Sequence, residues 1–323
     1  MAFIDVFNGD ADGICALLQL RFAQPREARL VTGVKRDIAL VAKAGIGPGD
    51  EVTILDISME KNLEALQAAL AEGANCFYVD HHYAGDIPQH PGLQALINTA
   101  PDICTSLLVN QHLSGAFIEW AVVGAFGDNL HQSARAVARP LALSRGELEA
   151  LAQLGLYINY NGYGARPEDL HFAPDDLYRV LSAYRRPQQF IDADTANFER
   201  LETGYRQDMA HAQALTAEYE DSAVAIFILP DADWARRVSG VYSNDLANAA
   251  PARAHAVLTC KADGNYLVSV RAPLDNKTGA DEICRQFPTG GGRKAAAGIN
   301  DLPRESLSGN SSGQYMSPGR HVS

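Results

Sequence analysis

Phe3-Ile4-Asp5-Val6-Phe7 runs directly into Asn8-Gly9-Asp10-Ala11-Asp12-Gly13 near the start of the chain. The first five residues read as a buried strand, the polar glycine-rich stretch as the turn that ends it, and the residues from about Ile14 as a helix. Two carboxylates two residues apart on a strand-to-helix turn face one crevice, which suits a hard divalent cation. The plain alternative is an Asp-rich turn whose only task is to cap the helix. An EF-hand loop is excluded, because its other ligands and its terminal Glu are missing.

The pattern repeats downstream. Short apolar runs over 52–56, 76–80 and 93–98 predict further strands, and the periodicities over 62–72 and 105–113 predict helices between and after them. Strands alternating with helices predict an α/β fold with a parallel sheet, and each strand ends in a polar cluster at its carboxyl edge. One strand ends at Asp56 and another at Asp80-His81-His82, while Asp128 follows the apolar run 117–126 in Gly127-Asp128-Asn129. Each of these aspartates alone reads as a cap or a turn. Asp10, Asp12, Asp56 and Asp128 together with His81 supply four carboxylates and an imidazole from separate elements, enough for two Mn²⁺ or Mg²⁺ ions about 4 Å apart. Asp80 is placed to orient an imidazole, and the second histidine is a neighbouring proton donor or phosphate contact.

Beyond the front half, Ser144 with Glu147 forms a capping box ahead of a helix through Leu148, Leu151, Leu154 and Leu156. Residues 188–219 read as one long helix. From 223 on, strands over 223–229, 255–259 and 266–271 with helices near 240–249 and 279–287 predict a second, smaller α/β domain. The expected organisation is 1–186, a metal-binding catalytic domain; 187–221, a helical linker; 222–304, a substrate-binding domain; and 305–323, a disordered tail rich in Ser and Gly. Tyr157, Tyr160 and Tyr163 read as a helix end and turn in preference to a base-stacking lid, and Arg185-Arg186 and Arg236-Arg237 as solvated basic pairs.

Of 323 residues, 47% are hydrophobic and 20% charged, the balance of a folded globular chain. No apolar run is long enough to cross a bilayer, and the acidic start does not suit a secretory signal, so a cytoplasmic protein is expected. The five cysteines are scattered without a C-x-x-C pair and are expected to be reduced and mostly buried. The net charge of −12 argues against coating long duplex nucleic acid. The charge is uneven. Residues 1–222 carry 30 acidic side chains against 16 basic ones, whereas 223–304 carry 8 against 10. An acidic front half suited to cations precedes a mildly basic part suited to anions.

The ordered set of Asp-x-Asp-Gly, strand-end Asp, Asp-His-His and Gly-Asp-Asn resembles the DHH phosphoesterase superfamily. That superfamily includes RecJ-type exonucleases, nano-RNases, cyclic dinucleotide phosphodiesterases, exopolyphosphatases and family II pyrophosphatases. Gly290-Gly291-Gly292-Arg293-Lys294-Ala295-Ala296-Ala297-Gly298 is similar to the Gly-Gly-Gly-His-x-x-Ala-x-Gly signature of the DHH-associated C-terminal domain, with weaker likeness at Val238-Ser239-Gly240 and Val268-Ser269-Val270-Arg271. The resemblance implies an active site in the cleft between two domains. It implies that Asp10 binds one metal, that Asp12, His81 and Asp128 bind the other, and that Asp56 bridges them. His82 would contact phosphate or protonate the leaving group, and Asp80 would orient a neighbouring group. Gly290, Gly291 and Gly292 would bring backbone N–H groups at a helix N-terminus to a substrate phosphate, aided by Arg271, Arg293 and Lys294. Two departures stand out. Asn8 occupies a position where RecJ-type members have an Asp, and where many members have a His four residues before the first Asp this chain has Val6. Arg293 replaces the signature's His and is always charged.

The expected function is hydrolysis of short single-stranded oligonucleotides or dinucleotides to mononucleotides, with two Mn²⁺ ions, or Mg²⁺ in their place. Polyphosphate or pyrophosphate hydrolysis and a weakly active nucleotide-binding regulator are the competing readings. No membrane partner is expected, and the oligomeric state stays open, a homodimer among the options.

Overall fold

The computed structural model describes residues 1–308. Of the tail expected over 305–323, the first four residues form a short helix, Glu305–Ser308, and the rest lies outside the described residues. Two compact units divide the chain, Met1–Gln207 and Asp208 onward.

The first unit is built on a five-stranded parallel sheet of β1 (Phe3–Phe7), β2 (Arg29–Val31), β3 (Glu51–Leu55), β4 (Asn75–Asp80) and β5 (Leu93–Ile97), in the order β2-β1-β3-β4-β5. The edge strand β2 goes beyond the sequence expectation. It has three residues and begins on an exposed Arg29, too little for a period-two signal. Register pairs Phe7 with Leu55 and Leu55 with Val79, so Asn8, Asp56 and Asp80 all emerge at one edge.

Helices α1 (Ala11–Ala23), α2 (Leu40–Lys43), α3 (Met59–Ala71), α4 (Thr105–His112), α5 (Ile118–Gly127), α6 (His131–Ala138), α7 (Arg145–Asn161), α8 (Pro174–Ser182), α9 (Pro187–Ala193) and α10 (Thr195–Gln213) follow in chain order. Ile4, Val6, Ile54 and Tyr78 pack with Leu66 and Leu70 of α3 on one face of the sheet. Phe7, Leu55 and Val79 pack on the other face with α1, α4, α5 and α7. Buried Leu17 and Leu18 of α1 contribute about 1.5–3 kcal/mol each by leaving water.

Helix α5 approaches its neighbours at backbone distance. A Cβ at Gly127 would lie 2.3 Å from the Ala11 Cβ and 2.8 Å from the Gly155 carbonyl oxygen, and one at Gly155 would lie 2.4 Å from the Val123 oxygen. This contact brings the carboxyl end of α5, where Asp128 sits, to the first turn of α1.

The single helix expected over 188–219 is instead α9 and α10, interrupted at Asp194. The Asp194 carboxylate accepts the Asn197 backbone N–H at 3.3 Å and so caps the second helix, an N-cap inside a stretch whose apolar spacing alone looked continuous.

The second unit carries a six-stranded sheet of β6 (Tyr219–Glu220), β7 (Val224–Leu229), β8 (Ala254–Cys260), β9 (Tyr266–Arg271), β10 (Gly290–Arg293) and β11 (Ala296–Leu302), ordered β10-β11-β9-β8-β7-β6. Only β7 and β8 run parallel. Besides the short helix Glu305–Ser308 the unit contains α11 (Asp233–Ala249), which starts seven residues before the expected Gly240, and α12 (Ala280–Cys284). The basic pairs include structural residues. Arg237 forks onto Asp208 within this unit, and in the first unit Arg186 forks onto Glu119. All five cysteines are unpaired, and four of them are buried. Among the described residues no helix is long and apolar enough to cross a membrane.

Gly127→Ala places a methyl group into the α1 contact and is expected to destabilise the first unit by about 1–3 kcal/mol, the usual cost of overpacking. A urea titration checks this. An unchanged unfolding midpoint would mean that α5 is not pinned there.

Candidate metal centre

Asp10 is the N-cap of α1. Its Oδ1 accepts the backbone N–H groups of Asp12 at 3.0 Å and Gly13 at 3.1 Å. Gly13 is required at this point in the turn because a Cβ there would lie 2.3 Å from the Asn8 carbonyl oxygen. The capping and metal readings of the Asp-x-Asp-Gly turn are therefore compatible: one carboxylate caps while the next faces the carboxyl edge of the sheet. Asp12 is 1% exposed and accepts two further N–H groups, from Thr105 and Ser106, both at 2.7 Å. These belong to the first turn of α4, where the helix dipole favours negative charge.

Asp56 follows β3 with φ 58°, a left-handed conformation unusual for a residue with a side chain. Its N–H donates to the Val79 oxygen at 3.1 Å, and Thr105 Oγ1 donates to its Oδ1 at 3.1 Å. His81 lies just past β4. Its Nδ1 is 3.1 Å from the Ile103 carbonyl oxygen, an acceptor only, so the ring hydrogen sits on Nδ1 and the lone pair on Nε2. That Nε2 lies 3.4 Å from Asp56 Oδ1 and 4.0 Å from both Asp12 Oδ2 and Asp128 Oδ2. A lone pair converging on three carboxylates lacks a positive partner, and a divalent cation is the group that fits this donor set. Among the described residues the ligand atoms of Asp12, His81 and Asp128 lie within 4.8 Å of one another, as do those of Asp56, His81 and His82.

The electrostatics agree. Burial, then the carboxylates of Asp10, Asp12, Asp80 and Asp128, push the Asp56 carboxyl well above its usual range. Burial, then Asp12 and Asp10, push Asp128 up to about 8. His82 donates from Nδ1 to Asp80 Oδ1 at 2.7 Å, and this bond raises the imidazole above its ordinary value. Asp80 is fully buried and its Oδ2 has no hydrogen-bond partner.

Lys35 was not singled out by sequence reasoning. Its Nζ donates to Asp10 Oδ2 at 2.6 Å and to Asn159 Oδ1 at 2.8 Å. Burial opposes the charge on Lys35, but Asp10 outweighs it and holds the ammonium well above the usual lysine range. Burial likewise opposes the Asp10 carboxylate, and Lys35 with the Gly13 N–H outweighs it, leaving Asp10 below its usual range. Thr105, Ser106 and the Ile103 carbonyl were also missed. They act mostly through backbone atoms, which leave no mark on residue type.

Asn8 Oδ1 is buried without a partner. Tyr157 and Tyr160 are buried among Phe198 and Tyr205 and do not form a stacking lid. In the second unit, Gly290, Gly291 and Gly292 do not precede a helix as expected. They form β10, paired antiparallel with β11 through Gly291 and Gly298. Their smallness serves close packing instead: a Cβ at Gly290 would lie 1.7 Å from the Cys284 oxygen, and one at Gly292 would lie 2.4 Å from the Ala297 Cα. Arg271 Nε donates to Asn244 Oδ1 at 2.7 Å, while Arg293 and Lys294 are exposed at the end of the hairpin.

No family profile and no curated protein sequence matches the chain. Solved structures do. A manganese-bound exonuclease RecJ aligns over 95% of this chain and 87% of its own, with a TM-score of 0.62 and 18% identity. RecJ of Thermus thermophilus in complex with Mn²⁺ aligns over 95% of this chain and 50% of its own, with a TM-score of 0.63 and 18% identity. The DHH domain of a member of the s1p family of ribosomal proteins gives 0.62 over 95% and 85%, with 13% identity. The chain shares the fold of these three proteins.

Asp56 and Asp128 hold their protons more tightly in the fold than in the unfolded chain, so the contribution of these two groups to the stability of the chelated protein is greatest at low pH. For Asp128 it is lost as pH rises from 3.8 through about 8. The melting temperature of chelated protein is expected to fall across that window, Asp128→Asn to flatten the fall, and Mn²⁺ to restore most at the upper end. Calorimetry that shows melting rising with pH over this range would contradict the assignment.

Proposed function

We propose that this chain is a divalent-cation-dependent phosphodiesterase that hydrolyses short single-stranded oligonucleotides or dinucleotides to mononucleotides, with Mn²⁺ as the expected ion and Mg²⁺ as its alternative. The observation that carries this reading is the convergence of His81 Nε2 with the carboxylates of Asp56, Asp12 and Asp128. The fold likeness to a manganese-bound exonuclease supports it.

In this reading Asp12, Asp56, His81 and Asp128 hold the ion. Once bound, the ion supplies charge neutralisation at a phosphoryl oxygen and a more acidic water. The Ile103 carbonyl keeps the His81 lone pair on Nε2. Asp80 fixes the ring of His82 through Nδ1 and favours its charged form, so that His82 holds a proton at Nε2 for the leaving oxygen. Arg293 and Lys294, both exposed, are the proposed anchors for a terminal phosphate. Two adjacent cations suit polyphosphate as well, which makes phosphoanhydride hydrolysis the competing reading.

Mononucleotide release from RNA and DNA of graded length, from pApA and from cyclic dinucleotides, set beside orthophosphate release from pyrophosphate and polyphosphate, tests the proposal. Activity on the shortest oligonucleotides that is lost on chelation is expected. Orthophosphate from polyphosphate alone would move the protein to the competing reading. His81→Ala and Asp56→Ala are expected to abolish hydrolysis with the fold intact, and His82→Ala to lower kcat by about 10²–10⁴ as loss of a general acid does. Full activity of His81→Ala would sink the metal assignment.

A further inference from the structure

The two metal positions implied by family resemblance are not equally furnished in this chain. Asp12, His81 and Asp128 converge with Asp56 at their edge, whereas Asp10 joins neither group of converging ligand atoms among the described residues. Both Asp10 oxygens are engaged, as those of Asp12 are, but here one of the partners is a cation. Oδ1 receives the Asp12 and Gly13 N–H groups, and Oδ2 receives the Lys35 ammonium.

Lys35 is not a loose surface side chain that happens to fall there. Its backbone N–H donates to the Gly162 oxygen at 2.8 Å, its Nζ is shared between Asp10 and Asn159, and the Tyr163 ring lies 5.6 Å from it. Gly162 follows the last turn of α7, and a Cβ on it would lie 3.2 Å from the Asp10 Cβ, so that turn closes over Asp10. Asn8, two residues before Asp10, has an Oδ1 that is buried and unpartnered and brings no charge. A dication entering beside Asp10 would have to displace a fixed ammonium, and besides the Asp56 carboxylate, which already borders Asp10 and faces His81, the chain offers it only a neutral amide, a poor exchange for a hard ion that prefers carboxylates.

We propose that the centre takes a single divalent cation, held by Asp12, Asp56, His81 and Asp128, and that the Lys35 ammonium stands beside Asp10 in place of a second one. This rests on the metal-dependent reading above. Lys35 is a positioning and charge-compensating residue in this arrangement, and it acts through Asp10.

The test is a count of bound Mn²⁺ on the full chain after chelation and back-titration, by equilibrium dialysis with elemental analysis, together with electron paramagnetic resonance of the bound ion. One Mn²⁺ per chain with the spectrum of an isolated ion is expected. Lys35→Arg, which keeps the charge, is expected to stay at one ion. The double variant Asn8→Asp with Lys35→Met, which removes the ammonium and restores a charged ligand, is expected to bind two ions with an exchange-coupled spectrum. Two coupled ions in the unmodified chain would overturn the proposal and leave the metal-dependent reading standing, whereas no bound Mn²⁺ would overturn both. A folded double variant that stays at one ion would remove Lys35 from the role assigned to it. The count on the unmodified chain decides the stoichiometry even where a variant does not fold.

Discussion

Asp10, Asp12, Asp56 and Asp80 are each no more than 2% exposed. Carboxylates this dry are tolerated only when each meets a positive group or hydrogen-bond donors, because the cost of removing an ion from water far exceeds the yield of a single weak contact. The structure around the carboxyl edge of the first sheet can be read as the set of answers to that constraint. Asp10 has Lys35 and two backbone N–H groups, Asp12 has the first turn of α4, and Asp80 has His82. Asp56 has the Thr105 hydroxyl and borders Asp10, and His81 lies near both Asp56 and the half-buried Asp128. These last two are the carboxyls displaced upward, and the unanswered charge lies where the His81 lone pair also points.

Bringing these groups together required backbone concessions. Asp56 sits in the left-handed region, which costs on the order of 1–3 kcal/mol for a side-chain-bearing residue and persists only when its surroundings fix it. Its N–H bond to β4 and its bond from Thr105 do so, and they turn the carboxylate from the end of β3 toward His81. The close approach of α5 to α1 at Gly127 does the equivalent for Asp128. A parallel sheet supplies the remaining geometry, because register alone delivers the ends of three adjacent strands to one edge.

The elements that could be read from the sequence are those with a strong periodic or residue-type signal. The strands carrying Asn8, Asp56 and Asp80 alternate visibly with amphipathic helices, and aspartates after strands mark their ends. The four carboxylates and His81 were therefore legible as candidates, although their mutual distances were not. Lys35 lies in a stretch without periodicity, 25 residues from Asp10 in sequence, and only the fold joins them. The N–H groups of Thr105 and Ser106 would be present with almost any residue at those positions. The glycine run 290–292 misled for a different reason. Close approach and helix entry both call for glycine, and residue type alone cannot separate a strand packed against Cys284 from a phosphate loop.

A fixed ammonium and an exchangeable dication are not equivalent neighbours for a phosphate. Lysine is a compact point charge that stabilises a carboxylate or an anion but leaves the acidity of a nearby water almost unchanged, whereas a bound dication changes that acidity strongly. If one side of the centre is held by Lys35, the activation of water belongs to the side where Asp12, Asp56, His81 and Asp128 converge. The Asp10 side is then left to hold shape and charge. His82 stands next to the activating side, its ring centroid 4.5 Å from that of His81 and its Nδ1 tied to Asp80. In that arrangement two adjacent histidines serve different tasks through different partners: a backbone carbonyl turns Nε2 of His81 toward the carboxylates that would hold the ion, and a buried carboxylate favours the charged form of His82 for leaving-group protonation.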